Sequence, residues 1–208
     1  VPRHPPARAA PVVVRRIAPP TDPAARFYRR ALVRLRAGDS GAAEAALQRV
    51  LALDPAQKRA RELLAALWMR AGRNAAAKAL LGPYVGGHPS DFTLVRLYAR
   101  VLVEEGDLRG ARRTLEASLP KAAGDPAFDA LLAVVYQRLG EHRRAAIAYR
   151  AALTLHPLDG TRWAGLGIAL EESGATREAQ AAYRRAADLG GLAPALARYV
   201  GGRLTALR

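Results

Sequence analysis

The sequence predicts an all-α fold, a solenoid of five helix-turn-helix repeats followed by a closing helix. Three observations carry this. Glycine recurs at Gly38, Gly72, Gly106, Gly140 and Gly174, a step of 34 residues each time. An alanine follows five positions later in every copy, at Ala43, Ala77, Ala111, Ala145 and Ala179. Pro55, Pro89 and Pro157 fall half a period after the corresponding glycine, with Ala123 and Gly191 in the other two slots. Self-similarity at this period marks a stacked-repeat array.

In chain order, residues 1–23 come first. They hold seven of the fourteen prolines and four arginines. That proline density excludes helix, and the apolar content is too low for a core. A semi-rigid linker, partly polyproline II, is expected, with Val12-Val13-Val14 as an alternative docking strand. The chain opens on Val rather than Met, so it is expected to be a fragment of a longer protein.

The five copies span 24–57, 58–91, 92–125, 126–159 and 160–193. Each reads helix, tight turn, helix, turn. In 126–159, Leu131, Leu132, Val135, Tyr136 and Leu139 recur at helical spacing, and Leu139-Gly140 stops the helix. A second run, Ala145, Ala146, Tyr149, Ala152 and Leu153, ends at His156-Pro157 because proline disfavours helix in the residue before it. The recurrent alanine lets two closely joined antiparallel helices approach. Pro83 and Pro120 fall in the second helices of the middle copies, which should be shortened or kinked there.

Both ends read as caps. Arg30 and Arg34 occupy normally apolar slots of the first copy, as suits a helix whose outer face meets water. Beyond the fifth copy, Leu192, Leu196, Tyr199, Val200, Leu204 and Leu207 share one helical face. Residues 194–208 are therefore expected to be a C-terminal capping segment, with a lone helix over 194–207. Gly201-Gly202 costs that helix roughly 2 kcal/mol in propensity. On this reading the array is complete at five and a half repeats.

The 208 residues include 33 Lys or Arg and 18 Asp or Glu, a net charge of +15. Located along the chain, the charge is a gradient: +3 in the linker, then +3, +4, +1, +1 and 0 in the repeats, and +3 in the closing segment. Only three of the basic residues are Lys. Arginines of the outer helices (Arg113, Arg143, Arg144, Arg184, Arg185) are expected to be largely offset by nearby acids. With no Cys, disulfides, thiol nucleophiles and Cys-ligated metals are excluded. No apolar run is long enough to span a bilayer as a helix.

The repeats resemble the tetratricopeptide repeat family. Residues 160–193 carry Trp163, Leu166-Gly167, Leu170, Ala179, Tyr183 and Ala186 in the family's characteristic slots. Residues 126–159 carry Leu132, Ala133, Tyr136, Ala145, Tyr149, Ala152 and Pro157. The resemblance covers 24–193 and implies a right-handed superhelix. Its concave face would be lined by the first helix of each repeat and would bind a peptide. The slots of that face give Arg96, Arg100, Ala130, Leu131, Val134, Gln137, Arg138, Ala164 and Ile168 as the groove. A secondary groove falls at Tyr28, Arg29, Leu32, Arg36, Arg59 and Arg70, with Glu62, Ala66 and Met69 beside it. An apolar floor rimmed by arginines suits an extended or helical peptide with a few acidic groups. One subtype of the family grips a C-terminal carboxylate with Lys and Asn. Those slots hold Tyr28 and Leu32 here, which argues against it.

No constellation argues for an enzyme. His4, His88, His142 and His156 lack partners at metal-ligand spacing. Gly165-Leu166-Gly167 sits inside a predicted helix with no strand before it, so it is not a nucleotide loop. Gly86-Gly87-His88 reads as a turn. Glu104-Glu105 and Glu171-Glu172 read as solvated helix ends. No nucleophile, base and oxyanion hole assemble. Neither a cofactor nor a metal is expected.

Residues 186–200 are similar to the C-terminus of repeat proteins that serve MSHA-type (type IV) pilus biogenesis. That resemblance implies a periplasmic scaffold anchored to the inner membrane by an upstream segment. Its partners would be pilus-assembly or secretin components. A cytoplasmic adaptor and a nucleic-acid accessory protein stand as alternatives. Self-association and an anionic membrane surface near the N-terminus are further candidate partners. Nucleic acid is disfavoured, because no aromatic residues interleave with the basic ones.

Overall fold

The computed structural model describes residues 22–119 and 124–207. Among them every regular element is a helix: α1 (Pro23–Arg36), α2 (Ser40–Leu53), α3 (Lys58–Arg70), α4 (Asn74–Gly87), α5 (Phe92–Glu104), α6 (Leu108–Glu116), α7 (Pro126–Arg138), α8 (His142–Leu155), α9 (Gly160–Glu172), α10 (Thr176–Leu189) and α11 (Pro194–Ala206). The chain divides into two compact units, residues 1–55 and 56–208.

In the first unit α1 and α2 form one helical hairpin. The linker expected over 1–23 lies outside the described residues except at its end, where the expectation is corrected. Asp22 is the N-cap of α1, accepting from Ala24 N at 2.9 Å, and Pro23 opens the helix. Proline suits that position because its missing N–H would have no intrahelical partner.

The second unit is a stacked solenoid. Each helix from α3 to α11 packs on the next, and the first helices α3, α5, α7 and α9 also touch in sequence. First helices begin at residues 58, 92, 126, 160 and 194, so α11 takes the slot of a sixth repeat's first helix.

The periodic glycines all have φ between +71° and +86°, where a side chain would be strained. In each, the N–H that follows the glycine bonds back to the carbonyl four residues before it. Arg73 N reaches Trp68 O at 2.8 Å, and Glu141 N reaches Tyr136 O at 2.9 Å. This closure satisfies carbonyls orphaned at the helix end. The periodic alanines are all fully buried, as close helix crossing requires.

The prolines of the middle repeats act differently. α4 runs unbroken through Pro83, so the expected shortening does not occur there. Arg61 Nη1 donates to Leu80 O at 3.1 Å and lies over the Tyr84 ring. The contact ties α3 to α4; the carbonyl that Pro83 leaves without an N–H is that of Ala79, one residue earlier. α6 is shortened: it ends at Glu116, four residues before Pro120, whose ring would meet that residue's carbonyl in a continuing helix. Pro120 itself lies outside the described residues.

α11 closes the unit, though one turn of its face is wetter than the sequence suggests. Val200 is buried, and Leu192, Leu196, Leu204 and Leu207 pack against the core. Tyr199 remains 42% exposed and meets Tyr183 edge-on.

Candidate peptide-binding groove

Three first helices, α3, α5 and α7, supply the groove. Their spacing follows from the alternation of first and second helices, which puts like helices side by side. Two adjoining depressions, of about 480 and 590 Å3, lie along them. Ala66, Leu97 and Arg100 line both. One extends past Glu62, Arg96 and Leu131. The other extends past Leu63, Met69, Arg70 and Glu104. Small Ala66 leaves the space, and Leu97, Leu63 and Met69 give it an apolar floor.

The charges differ in availability. Arg96 Nη1 is paired with Asp125 Oδ1 at 2.9 Å. That carboxylate also caps α7, accepting from Ala127 N at 3.0 Å and Phe128 N at 3.1 Å. Arg96 is thus a tie between α5 and α7. Arg100 and Arg70 are exposed and hold no ion pair among the described residues. Glu62 and Glu104 stand at opposite ends. The groove therefore offers an apolar centre, the Arg100 guanidinium at its middle and both signs of charge at its ends, rather than a rim of arginines alone.

The structure redistributes the sequence-derived site. Arg96, Arg100 and Leu131 come together with Arg70, Glu62, Ala66 and Met69, which the sequence places in a separate groove. Ala164 is fully buried and cannot reach a ligand, because α9 turns that position into the core. Gln137 accepts from the Tyr149 hydroxyl at 3.0 Å, so it fastens α8 to α7. Arg138 reaches Val103 O at 3.4 Å. Ala130, Val134 and Ile168 line neither depression; Val134 is exposed and Ile168 packs partly on the core. Arg59 is exposed at the start of α3 and lines neither depression. Tyr28 and Leu32 are half-buried on α1 and Arg29 and Arg36 exposed, all in the first unit. Sequence reasoning passes over Leu97, Leu63 and Thr93, although they occupy slots of the same kind as Leu131 and Arg59.

Neither acidic pair at a helix end is simply solvated. Lys78 Nζ pairs with Glu105 at 2.7 Å, and Glu171 is gripped by Arg203 of α11. Gly165-Leu166-Gly167 is a packing device. A Cβ on Gly165 would lie 2.5 Å from the Tyr149 ring, and one on Gly167 would lie 2.6 Å from the Tyr183 ring. Gly86 and Gly87 end α4 rather than form a separate turn. His88 stacks on Tyr84 with ring centroids 4.1 Å apart. Among the described residues no three His, Asp or Glu side chains cluster as metal ligands. No helix among them is long and apolar enough to cross a membrane.

These helical hairpins, their glycine turns and their first-helix groove define a repeat scaffold. Two family models, both described as tetratricopeptide repeat, match the chain over 34–91 with 71–135 and over 130–195. The chain belongs to the tetratricopeptide repeat family. Proteins of this fold are typically interaction scaffolds that bind protein or peptide partners. No curated protein matches the sequence. Among solved structures, a crystal structure of MamA protein is 20% identical with a TM-score of 0.71, covering 82% of this chain and 98% of its own. MamA from Desulfovibrio magneticus is 18% identical with a TM-score of 0.71, covering 81% and 96%. TTC0263, a thermophilic TPR protein of Thermus thermophilus, is 19% identical with a TM-score of 0.62, covering 88% and 99%. At these identities the likeness is one of fold.

Proposed function

We propose that this protein is a non-catalytic scaffold that captures an extended or helical segment of a partner protein in the groove of α3, α5 and α7. The observation that carries this is the exposed guanidinium of Arg100, without an ion pair among the described residues and set beside Leu97 where the two depressions join. Apolar anchors on Leu97, Leu63 and Met69 would supply most of the affinity, and a carboxylate on Arg100 would fix the register. We further propose that the scaffold serves the assembly of a type IV pilus of the MSHA kind, or a related envelope complex. It would stand on the periplasmic side, held to the inner membrane by an upstream segment. The similarity of residues 186–200 to pilus-biogenesis repeat proteins supports that setting.

The test is capture of partners from the cell envelope, followed by Arg100→Glu. Reversal at an exposed position leaves the fold intact and should lower capture at least tenfold. Val134→Glu, outside the groove, should leave capture unchanged. The opposite pattern would move the site away from α3, α5 and α7. Captured partners that include no pilus or secretin component would remove the pilus setting and leave the groove standing.

A further inference from the structure

The outer helices of the last three repeats carry a second surface. In α6, α8 and α10 the second residue is an arginine each time: Arg109, Arg143 and Arg177. These positions recur at the repeat period, so stacking sets them in one row. The helices are bridged to each other by Arg112–Glu141, Arg144–Glu116 and Arg150–Glu178 ion pairs. Those pairs engage Glu116, Glu141 and Glu178; Asp188, on α10 beside Arg184 and Arg185, is exposed and in no ion pair among the described residues. Arg109, Arg113, Arg143, Arg177, Arg184 and Arg185 are all exposed and have no acidic partner among the described residues. Of the outer-helix arginines expected to be offset by acids, Arg144 is ion-paired, while Arg113, Arg143, Arg184 and Arg185 hold no ion pair among the described residues.

The row does not serve stability. A cation in the first turn of a helix faces the positive end of its dipole, and three arginines crowd there without pairs. From Arg143 an aliphatic ridge runs along α8 to the turn after it. Ile147 is 65% exposed, Leu155 47% and Leu158 73%, and Ala151 and Thr154 continue the same line between them. No aromatic side chain is exposed on the outer faces of α6, α8 and α10; Tyr149 and Tyr183 are buried.

We infer that this outer face docks on an anionic lipid bilayer, with the arginines on the headgroups and Ile147 and Leu158 entering the interface. Unpaired basic charge selects a polyanion. The exposed aliphatic ridge selects a bilayer among polyanions, because apolar side chains gain nothing from phosphates in water but gain from lipid. Single-stranded nucleic acid would call for aromatic platforms, which this face lacks.

Co-sedimentation of the full chain with vesicles tests this. Vesicles of equal parts phosphatidylcholine and phosphatidylglycerol should bind at low ionic strength, and phosphatidylcholine alone should not. The triple variant Arg109→Glu, Arg143→Glu, Arg177→Glu should weaken binding by about a hundredfold, at about fivefold per arginine removed from the surface. Ile147→Ser with Leu158→Ser should weaken it several-fold with all arginines in place. Both variants alter exposed positions, and neither should melt below the parent; the triple variant should melt somewhat above it, because each glutamate faces the positive end of its helix dipole. Failure of the parent to bind the anionic vesicles would overturn the inference. So would unchanged binding by the triple variant. Undiminished vesicle binding by the Ile147/Leu158 variant, alongside tight binding of the parent to duplex DNA, would make the face a phosphate surface for nucleic acid instead.

Discussion

Arg203 of α11 clasps Glu171 of α9: its Nε donates to one carboxylate oxygen at 3.0 Å and its Nη2 donates to the other. The Tyr183 hydroxyl donates to the same carboxylate at 2.9 Å. A fork-to-fork pair of this kind fixes direction as well as distance. It locks the closing helix onto the repeat that it covers.

Arg203→Ala should therefore loosen α11 in particular. The pair is partly exposed, with side chains 35% and 19% accessible, so the cost is about 1–2 kcal/mol. Amide hydrogen exchange should quicken across α11 more than across α9 or α10. Uniform protection in the variant would show that Val200 and its leucine neighbours hold the helix without the clasp.

Two glycines inside helices should respond in opposite directions to the same substitution. Gly167→Ala drives a methyl into the Tyr183 ring and should cost about 1–3 kcal/mol. At Gly201 in α11 nothing lies within 4 Å of the added atom. Gly201→Ala should stabilise by up to about 1 kcal/mol through helix propensity alone. Urea denaturation of both variants measures the difference, and equal shifts would contradict the packing account.

The tyrosines that join second helices to first helices set an alkaline limit. Burial, then a hydrogen bond to Glu116 at 3.1 Å, pushes the Tyr136 hydroxyl up to about 12. Burial alone pushes Tyr149 up to about 12. An unfolded tyrosine ionises near 10. The folded state therefore holds its protons more tightly, and the stability these tyrosines contribute is full below about pH 10. It is lost as the pH rises from there toward 12. Tyrosinate absorbance should show these groups titrating well later in the native protein than in urea. Coincident titrations would refute the buried, bonded hydroxyls.

The fold was legible because its punctuation is periodic and local. Gly140 is needed where the chain turns left-handed, Ala145 where two helices cross, and Pro126 where a helix starts; each requirement acts within one hairpin. α6 shows the same locality, since Pro120 limits it from within its own segment. Pro83 misleads because what holds its helix in place is not local. Arg61, on the preceding helix, supplies the donor for Leu80 O.

The groove was legible in kind and not in place. The helical register by itself determined that first helices carry the ligand-facing slots, and Arg96, Arg100 and Leu131 follow from it. Only the tertiary structure decided which slots are open. Ala164 is covered, Gln137 is spent on Tyr149 and Arg96 on Asp125, while Arg100 and Arg70 hold no ion pair among the described residues. The same holds on the outer face, where Arg144 finds acids and Arg143 beside it finds none. A sequence states which residues share a face of one helix. Whether a charge is paired or a surface is covered depends on side chains a full repeat away, brought into hydrogen-bonding reach by stacking.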